Sequence, residues 1–252
     1  MRVHLSLKEW RAVRDGADYA GRSLGFVPTM GALHAGHRSL AARARAENDR
    51  VVLSIFVNPT QFNDPSDLAK YPRTLEADLA LAAGLVDDVI VPPVAELYPD
   101  GYTYRVTEDR MSRELEGAYR PGHFDGVLTV VLKLLNTVQA TRAYFGEKDW
   151  QQLRLVEGMA RALLLGVEIV PCPTVRDPDG LALSSRNRRL SHPARMRAAQ
   201  FPAILREADS AAGAVAALEA AGFGVDYVED REGMRLGAVR IENVRLIDNV
   251  RL

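Results

Sequence analysis

At 252 residues the chain is long enough for one large domain or two smaller ones. Its 32 basic and 33 acidic residues leave a net charge of −1, which removes any bulk electrostatic case for nucleic acid or an anionic membrane as partner. The single cysteine, Cys172, excludes an intramolecular disulfide framework and a multi-cysteine metal site, and no apolar run approaches the roughly 18–20 residues of a membrane span. Met1 to Trp10 has no apolar leader core, so the expected location is cytoplasmic.

Ser6-Leu7-Lys8-Glu9 has capping-box spacing and predicts a first helix to about Asp15. Leu24 to Pro28 reads as the first buried strand. A small-residue loop follows, then a helix from about Gly36 to Glu47. Arg50 to Val57 is a continuous β-branched run, the pattern of a parallel strand covered on both faces. It ends in Asn58-Pro59-Thr60-Gln61-Phe62. Thr74 to Gly84 predicts a helix, and Asp88 to Val91 a third strand stopped by Pro92-Pro93. Asp87-Asp88 suits a cap before that strand or a metal ligand.

The stretch 96–122 predicts a long surface excursion with a short helix near 112–115. Phe124 to Gln139 is a strong helix, apolar on more than one side; it suits deep burial or cover by a second subunit. Arg142 to Phe145 and Val167 to Val170 predict the fourth and fifth strands, with a helix from Gly146 to about Leu165 between them. Strands alternating with helices define an open α/β sheet, Rossmann-like and doubly wound. The turn Asp177-Pro178-Asp179-Gly180 marks the seam. The expected division is residues 1–174 and residues 175–252, the latter a smaller α+β domain with an Ala-rich helical region and three short strands.

In open sheets ligands lie beyond the carboxyl ends of the strands, the edge that carries both the 30–37 loop and the 58–62 loop. His34-Ala35-Gly36-His37 sits where a strand gives way to a helix. A helix start presents unpaired N–H groups and partial positive charge, and two imidazoles there add donors for a phosphate. The alternative is that one histidine caps a neighbour and the other is surface. Lys148-Asp149 opens another helix, where an ammonium can reach phosphate and a carboxylate can hold ribose hydroxyls; a solvated charge pair is the alternative. Ser184-Ser185-Arg186 suits a triphosphate clamp or an ordinary capping loop. Asn58, Gln61 and Tyr71 are uncharged hydrogen bonders at the crevice, and Gln152 shares a helix face with Asp149. His123 is expected to cap the helix it precedes. No Gly-x4-Gly-Lys-Ser/Thr and no Gly-x-Gly-x-x-Gly motif occurs, which argues against Walker-type and dinucleotide sites.

Six blocks, taken in order, resemble the pantothenate synthetase (pantoate–β-alanine ligase) family: 28–37, 55–62, Tyr71-Pro72-Arg73, 145–149, 184–187 and 245–249. The His-x-Gly-His and Ser-Ser-Arg blocks also resemble the wider nucleotidylyltransferase superfamily. The resemblance implies a Rossmann-like domain, a C-terminal lid, a homodimer, and pantoate, β-alanine and ATP as substrates with Mg²⁺ as phosphate counter-ion. No protein ligand for the metal is implied. His34, His37, Lys148, Ser184, Ser185 and Arg186 would stabilise phosphate charge. Met30, Gly146, Asp149, Val175 and Leu183 would join them around the nucleotide. Gln61 and Gln152 would hold pantoate, with Asn58 and Tyr71 where β-alanine arrives. Ala35 replaces a usually acidic residue, Leu183 a methionine, and the C-terminal tail is short for the family. A nucleotidylyltransferase acting on another small acceptor, or a non-catalytic nucleotide sensor, are the competing functions.

Overall fold

A computed structural model describes residues 1–252 and divides them into two compact units. One is Met1–Gly146 with Gln151–Cys172; the other is Glu147–Trp150 with Pro173–Leu252. The four residues Glu147–Trp150, assigned to the larger domain on sequence, therefore group with the smaller unit.

The larger unit holds six strands: β1 (Arg2–His4), β2 (Leu24–Thr29), β3 (Arg50–Ile55), β4 (Asp88–Ile90), β5 (Arg142–Gly146) and β6 (Glu168–Cys172). All pair in parallel, in the order β1-β4-β3-β2-β5-β6. From β2 the chain builds outward through β3 to β4, then returns to place β5 on the other side of β2. The switch point of this doubly wound sheet thus lies between β2 and β5. Alternation along each strand feeds two cores. Phe26, Val52 and Ile90 pack into one, while Val27, Val51, Leu53 and Val89 pack into the other.

The helix Ala35–Glu47 buries Leu40, Ala41 and Ala44 in the second core. The helix His123–Val138 fills the first core with Val127, Leu128, Val131, Leu134 and Leu135. Each such side chain contributes roughly 1.5–3 kcal/mol on burial. Leu128, which lies off the main apolar stripe, is only 1% exposed within this one chain. The helix is apolar on several sides because it is buried in its own unit.

Sequence reasoning missed β1. It has three residues, two of them exposed, and gains its place by pairing Arg2, Val3 and His4 with Asp88, Val89 and Ile90. The Asp87-Asp88 pair is neither a cap nor a metal site. Asp88 is fully buried and takes Arg2 (2.8 Å), His4 Nε2 (2.6 Å) and the Tyr19 hydroxyl, while Asp87 pairs with Arg45 and Arg50. In the excursion, the short helix expected near 112–115 is a 3-10 turn at Met111–Arg113, followed by a helix at Glu116–Tyr119. Two further short helices, Pro65–Ala69 and Val94–Leu97, stand where no helix was predicted.

The smaller unit packs the helices His192–Ala198, Gln200–Glu207 and Ala211–Ala220 with an antiparallel sheet of β7 (Gly224–Arg231), β8 (Met234–Ile241) and β9 (Val244–Arg251). Glu232 and Gly233, both at positive φ, form the tight turn between β7 and β8. The strands are longer than the apolar runs predicted, because charged residues inside them are paired. Arg235, 2% exposed, forks onto Asp230 and caps the helix carbonyl of Leu205, while Arg240 and Arg245 share Asp226.

Candidate active site

The loop after β2 is fixed from below. Gly31 and Ala32 both adopt positive φ, 80° and 48°. For alanine that conformation is unfavourable and must be held. Asp78 holds it: its carboxylate accepts the backbone N–H groups of Ala32 (3.0 Å) and Leu33 (2.7 Å) and the Thr74 hydroxyl (3.1 Å). Asp78 is 2% exposed. A β-carbon at Gly31 would stand 3.0 Å from Asp78 Oδ2 and from Ile55, so glycine lets the loop lie against its anchor.

That loop delivers the two histidines. His34 is the N-cap of the helix Ala35–Glu47, and its Nδ1 accepts the N–H of Gly36 at 3.2 Å. His37, three residues on, accepts the N–H of His34 on its own Nδ1 at 3.3 Å. This is a capping box built from two imidazoles, with ring centroids 4.2 Å apart. A backbone N–H can only donate, so both Nδ1 atoms are unprotonated acceptors and each neutral ring carries its proton on Nε2. The capping role and the donor role are therefore compatible. One nitrogen of each ring is used in the cap, and the other is set as an N–H donor. Met30 lies in the same loop, half-buried, directly after β2.

The loop after β3 is locked more tightly. Asn58, 1% exposed, donates to Gln61 Oε1 (2.9 Å) and the Gly126 carbonyl (3.1 Å), and its Oδ1 accepts from Tyr98 (2.7 Å) and Thr60 (3.0 Å). Every polar position of its side chain is used internally, so Asn58 orients Gln61. Burial pushes the Tyr98 phenol up to about 12, against its hydrogen bonds with Thr60 and Asn58, and keeps it a donor. His123 is the first residue of its helix, with Gly122 as the N-cap. Its Nδ1–H donates to the Gln61 carbonyl at 2.8 Å and its Nε2 accepts from Arg120 at 3.1 Å. A β-carbon at Gly126 would meet Thr60 O at 2.6 Å and Gln61 N at 2.8 Å. Tyr71 packs edge-on against Phe62, ring centroids 5.7 Å apart. Gln152 is half-buried on the helix Trp150–Ala162. Its neighbour Gln151 is turned inward to the excursion, accepting from Glu116 N and donating to the Met111 and Glu114 carbonyls.

In the smaller unit, the seam segment is a small hairpin. Gly180 N–H closes the turn on the Asp177 carbonyl at 2.8 Å, and Leu183 N–H donates to the Val175 carbonyl at 3.0 Å. Val175 and Leu183 thus face each other. Ser184 Oγ accepts the Arg186 N–H at 3.3 Å and caps the 3-10 turn Ser185–Arg189, while Asn187 ties back to the Ala182 carbonyl at 3.0 Å. Lys148 Nζ lies 3.6 Å from Asp149 Oδ1, and both follow the last residue of β5, Gly146. No group of three or more His, Cys, Asp or Glu side chains is placed to hold a metal ion. Of the residues that orient the others, Asp78, Tyr98 and Gly126 went unassigned on sequence, Asn187 lay in the matched block 184–187 without a stated role, and His123, expected as a helix cap, instead holds the Gln61 carbonyl while Gly122 takes the N-cap position.

A doubly wound parallel sheet with a paired-imidazole helix start on its carboxyl edge is the frame of an α/β enzyme that handles an anionic ligand. The chain belongs to the pantoate-beta-alanine ligase family, whose model matches residues 2–251. It is 52% identical to a pantothenate synthetase of Bdellovibrio bacteriovorus, covering 100% of this chain and 98% of that one. It is 51% identical to one of Legionella pneumophila, covering 99% of each. A pantoate-beta-alanine ligase from Francisella tularensis, complexed with beta-gamma ATP and beta-alanine, superposes with a TM-score of 0.95 at 40% identity, covering 100% of this chain and 97% of that one. The pantothenate synthetase of Thermus thermophilus gives 0.92 at 42% identity, covering 100% and 99%. These relatives match nearly end to end, so the short C-terminal unit is shared with them. The family is one of ligases, and no helix of this chain is long and apolar enough to cross a membrane.

Proposed function

We propose that this chain condenses pantoate with β-alanine to give pantothenate, at the expense of ATP. A carboxylate oxygen of pantoate attacks the α-phosphorus, the bond from that phosphorus to the bridging oxygen breaks, and pyrophosphate leaves. The amine of β-alanine then attacks the acyl carbon of pantoyl adenylate, loses a proton, and expels AMP with the bonding pair. The observation that carries this reading is the double imidazole cap, because it sets two Nε2–H donors at a positively polarised helix start.

In this reading His34 and His37 stabilise the charge that builds on the phosphates, together with Lys148, Ser184, Ser185 and Arg186. Met30, Gly146, Asp149, Val175 and Leu183 surround the nucleotide. Gln61 and Gln152 hold the hydroxyl and carboxylate of pantoate, Tyr71 borders the approach of β-alanine, and Asn58 serves through Gln61. The first step demands positioning and electrostatic stabilisation, which donors fixed before the substrates arrive supply without reorganisation. A magnesium ion, held by triphosphate oxygens and water, would neutralise phosphate charge; the chain's own acids form no cage for it. The proposal includes a homodimer and a cytoplasmic setting, and sedimentation reads the first.

Pyrophosphate release from ATP tests the reaction. Release with pantoate alone, limited to about one turnover and made continuous by β-alanine, is the expected outcome. Release that ignores pantoate, or continuous turnover without β-alanine, would overturn it.

A further inference from the structure

Lys148 is fixed from an unexpected direction, by the last strand of the chain. Asn249, 5% exposed near the end of β9, donates both hydrogens of its side-chain amide to consecutive carbonyls, Glu147 O at 2.9 Å and Lys148 O at 3.0 Å. Two bonds to two adjacent peptides set the backbone from which the ammonium extends. Only a primary amide meets the demand without charge. A carboxylate would face two carbonyl oxygens with no proton to share, and a hydroxyl has one proton for two acceptors.

Asn249 is itself held. The Asn249 N–H donates to Asp248 Oδ1 at 2.8 Å, and its carbonyl accepts from Arg176 at 3.0 Å. Asp248, 3% exposed, receives the Arg176 guanidinium on both oxygens, at 2.7 and 3.0 Å. Bidentate pairing of this kind fixes angle as well as distance. Arg176 also donates to the Gly180 carbonyl at 3.0 Å, inside the hairpin that carries Val175 on one arm and Leu183 on the other, with Ser184 next in the chain. One half-buried network, anchored on the buried Asp248 and Asn249, therefore runs from the hairpin that leads into the Ser184–Arg186 loop through Arg176 to the Lys148 backbone.

We propose that Asn249 is a positioning residue for Lys148, and that the Arg176–Asp248 pair sets Lys148 and the Ser-Ser-Arg loop in one fixed register. This rests on the proposed role of Lys148 at the triphosphate. Register matters because electrostatic stabilisation of a transition state depends on where the charges stand before reaction.

The test is a double-mutant cycle on pantoate-dependent exchange of pyrophosphate into ATP. Asn249→Asp alone is expected to lower the exchange rate about 10- to 100-fold, with the KM for pantoate unchanged. In a Lys148→Ala background the same change is expected to cost less than about 2-fold, because residues that act through one another do not add. Asn249→Ala, which removes the donors without adding charge, serves in the same cycle if the aspartate variant does not fold. Effects that multiply in the double variant, or an Asn249 variant within 2-fold of the parent, would overturn the inference alone. An unchanged rate in Lys148→Ala would overturn the assignment of Lys148 and the inference with it.

Discussion

His37 accepts the backbone N–H of His34 on its Nδ1, at 3.3 Å, so the second imidazole of the pair closes the cap that the first one opens. The proton left on Nε2 is then fixed by the fold and does not depend on a ligand. This separates what each nitrogen does, and substitutions can separate it too.

Asparagine at position 34 presents an oxygen near where Nδ1 stands and is among the best N-cap residues. His34→Asn is expected to keep or raise the melting temperature while lowering pantoyl adenylate formation at least ~10²-fold, the scale of losing one preorganised donor. Differential scanning calorimetry and single-turnover rates on the same preparation check both halves. A slow enzyme that has also lost stability would point to the cap alone.

Asp78→Asn keeps shape and volume but puts an NH₂ where a backbone N–H needs an acceptor. One buried donor at Ala32 or Leu33 is then left unsatisfied, at a cost of about 1–3 kcal/mol. Urea unfolding should show that loss, and adenylate formation should fall with it because the loop that carries His34 is released.

Gly126→Ala inserts a methyl group into the space now occupied by Thr60 O and Gln61 N. Overpacking against backbone costs about 1–3 kcal/mol and moves Gln61. The expected kinetic signature is a raised KM for pantoate with little change in the KM for ATP.

How much of this was legible beforehand follows from the kind of interaction. The β3 run and the 123–138 helix announce themselves because burial writes an apolar pattern into consecutive residues. His34 and His37 stand out for the same reason of proximity, three positions apart on one helix start. Asp78, Asn249 and β1 left little trace. Asp78 meets the loop amides of Leu33 and Ala32 from 45 and 46 positions away, and Asn249 meets Lys148 across 101 positions. Asn249 lay inside the matched block 245–249, yet nothing local to it says what its amide faces. Asn58 carried a visible motif whose role changed on folding, since its side chain is spent on Gln61, Gly126, Thr60 and Tyr98.

Acid stability should report the Asp88 cluster. Burial pushes that carboxyl up, but donors from Arg2, Tyr19 and His4 outweigh it and hold it below its ordinary 3.8. The unfolded chain then binds the proton more readily than the folded one. The stabilisation is fully present above 3.8 and is lost as pH falls through the lower folded value. Urea midpoints between pH 5 and pH 2 should fall steeply for the parent and less steeply for Asp88→Asn; parallel slopes would show that Asp88 contributes nothing to the acid limb.

The adenylate step is the centre of the account, and oxygen labelling reads it most directly. Pantoate carrying ¹⁸O in its carboxylate is turned over with ATP and β-alanine, and the AMP is analysed by mass spectrometry. Attack of that carboxylate on the α-phosphorus predicts one ¹⁸O in every AMP and none in pyrophosphate. Unlabelled AMP, or label in pyrophosphate or inorganic phosphate, would contradict it.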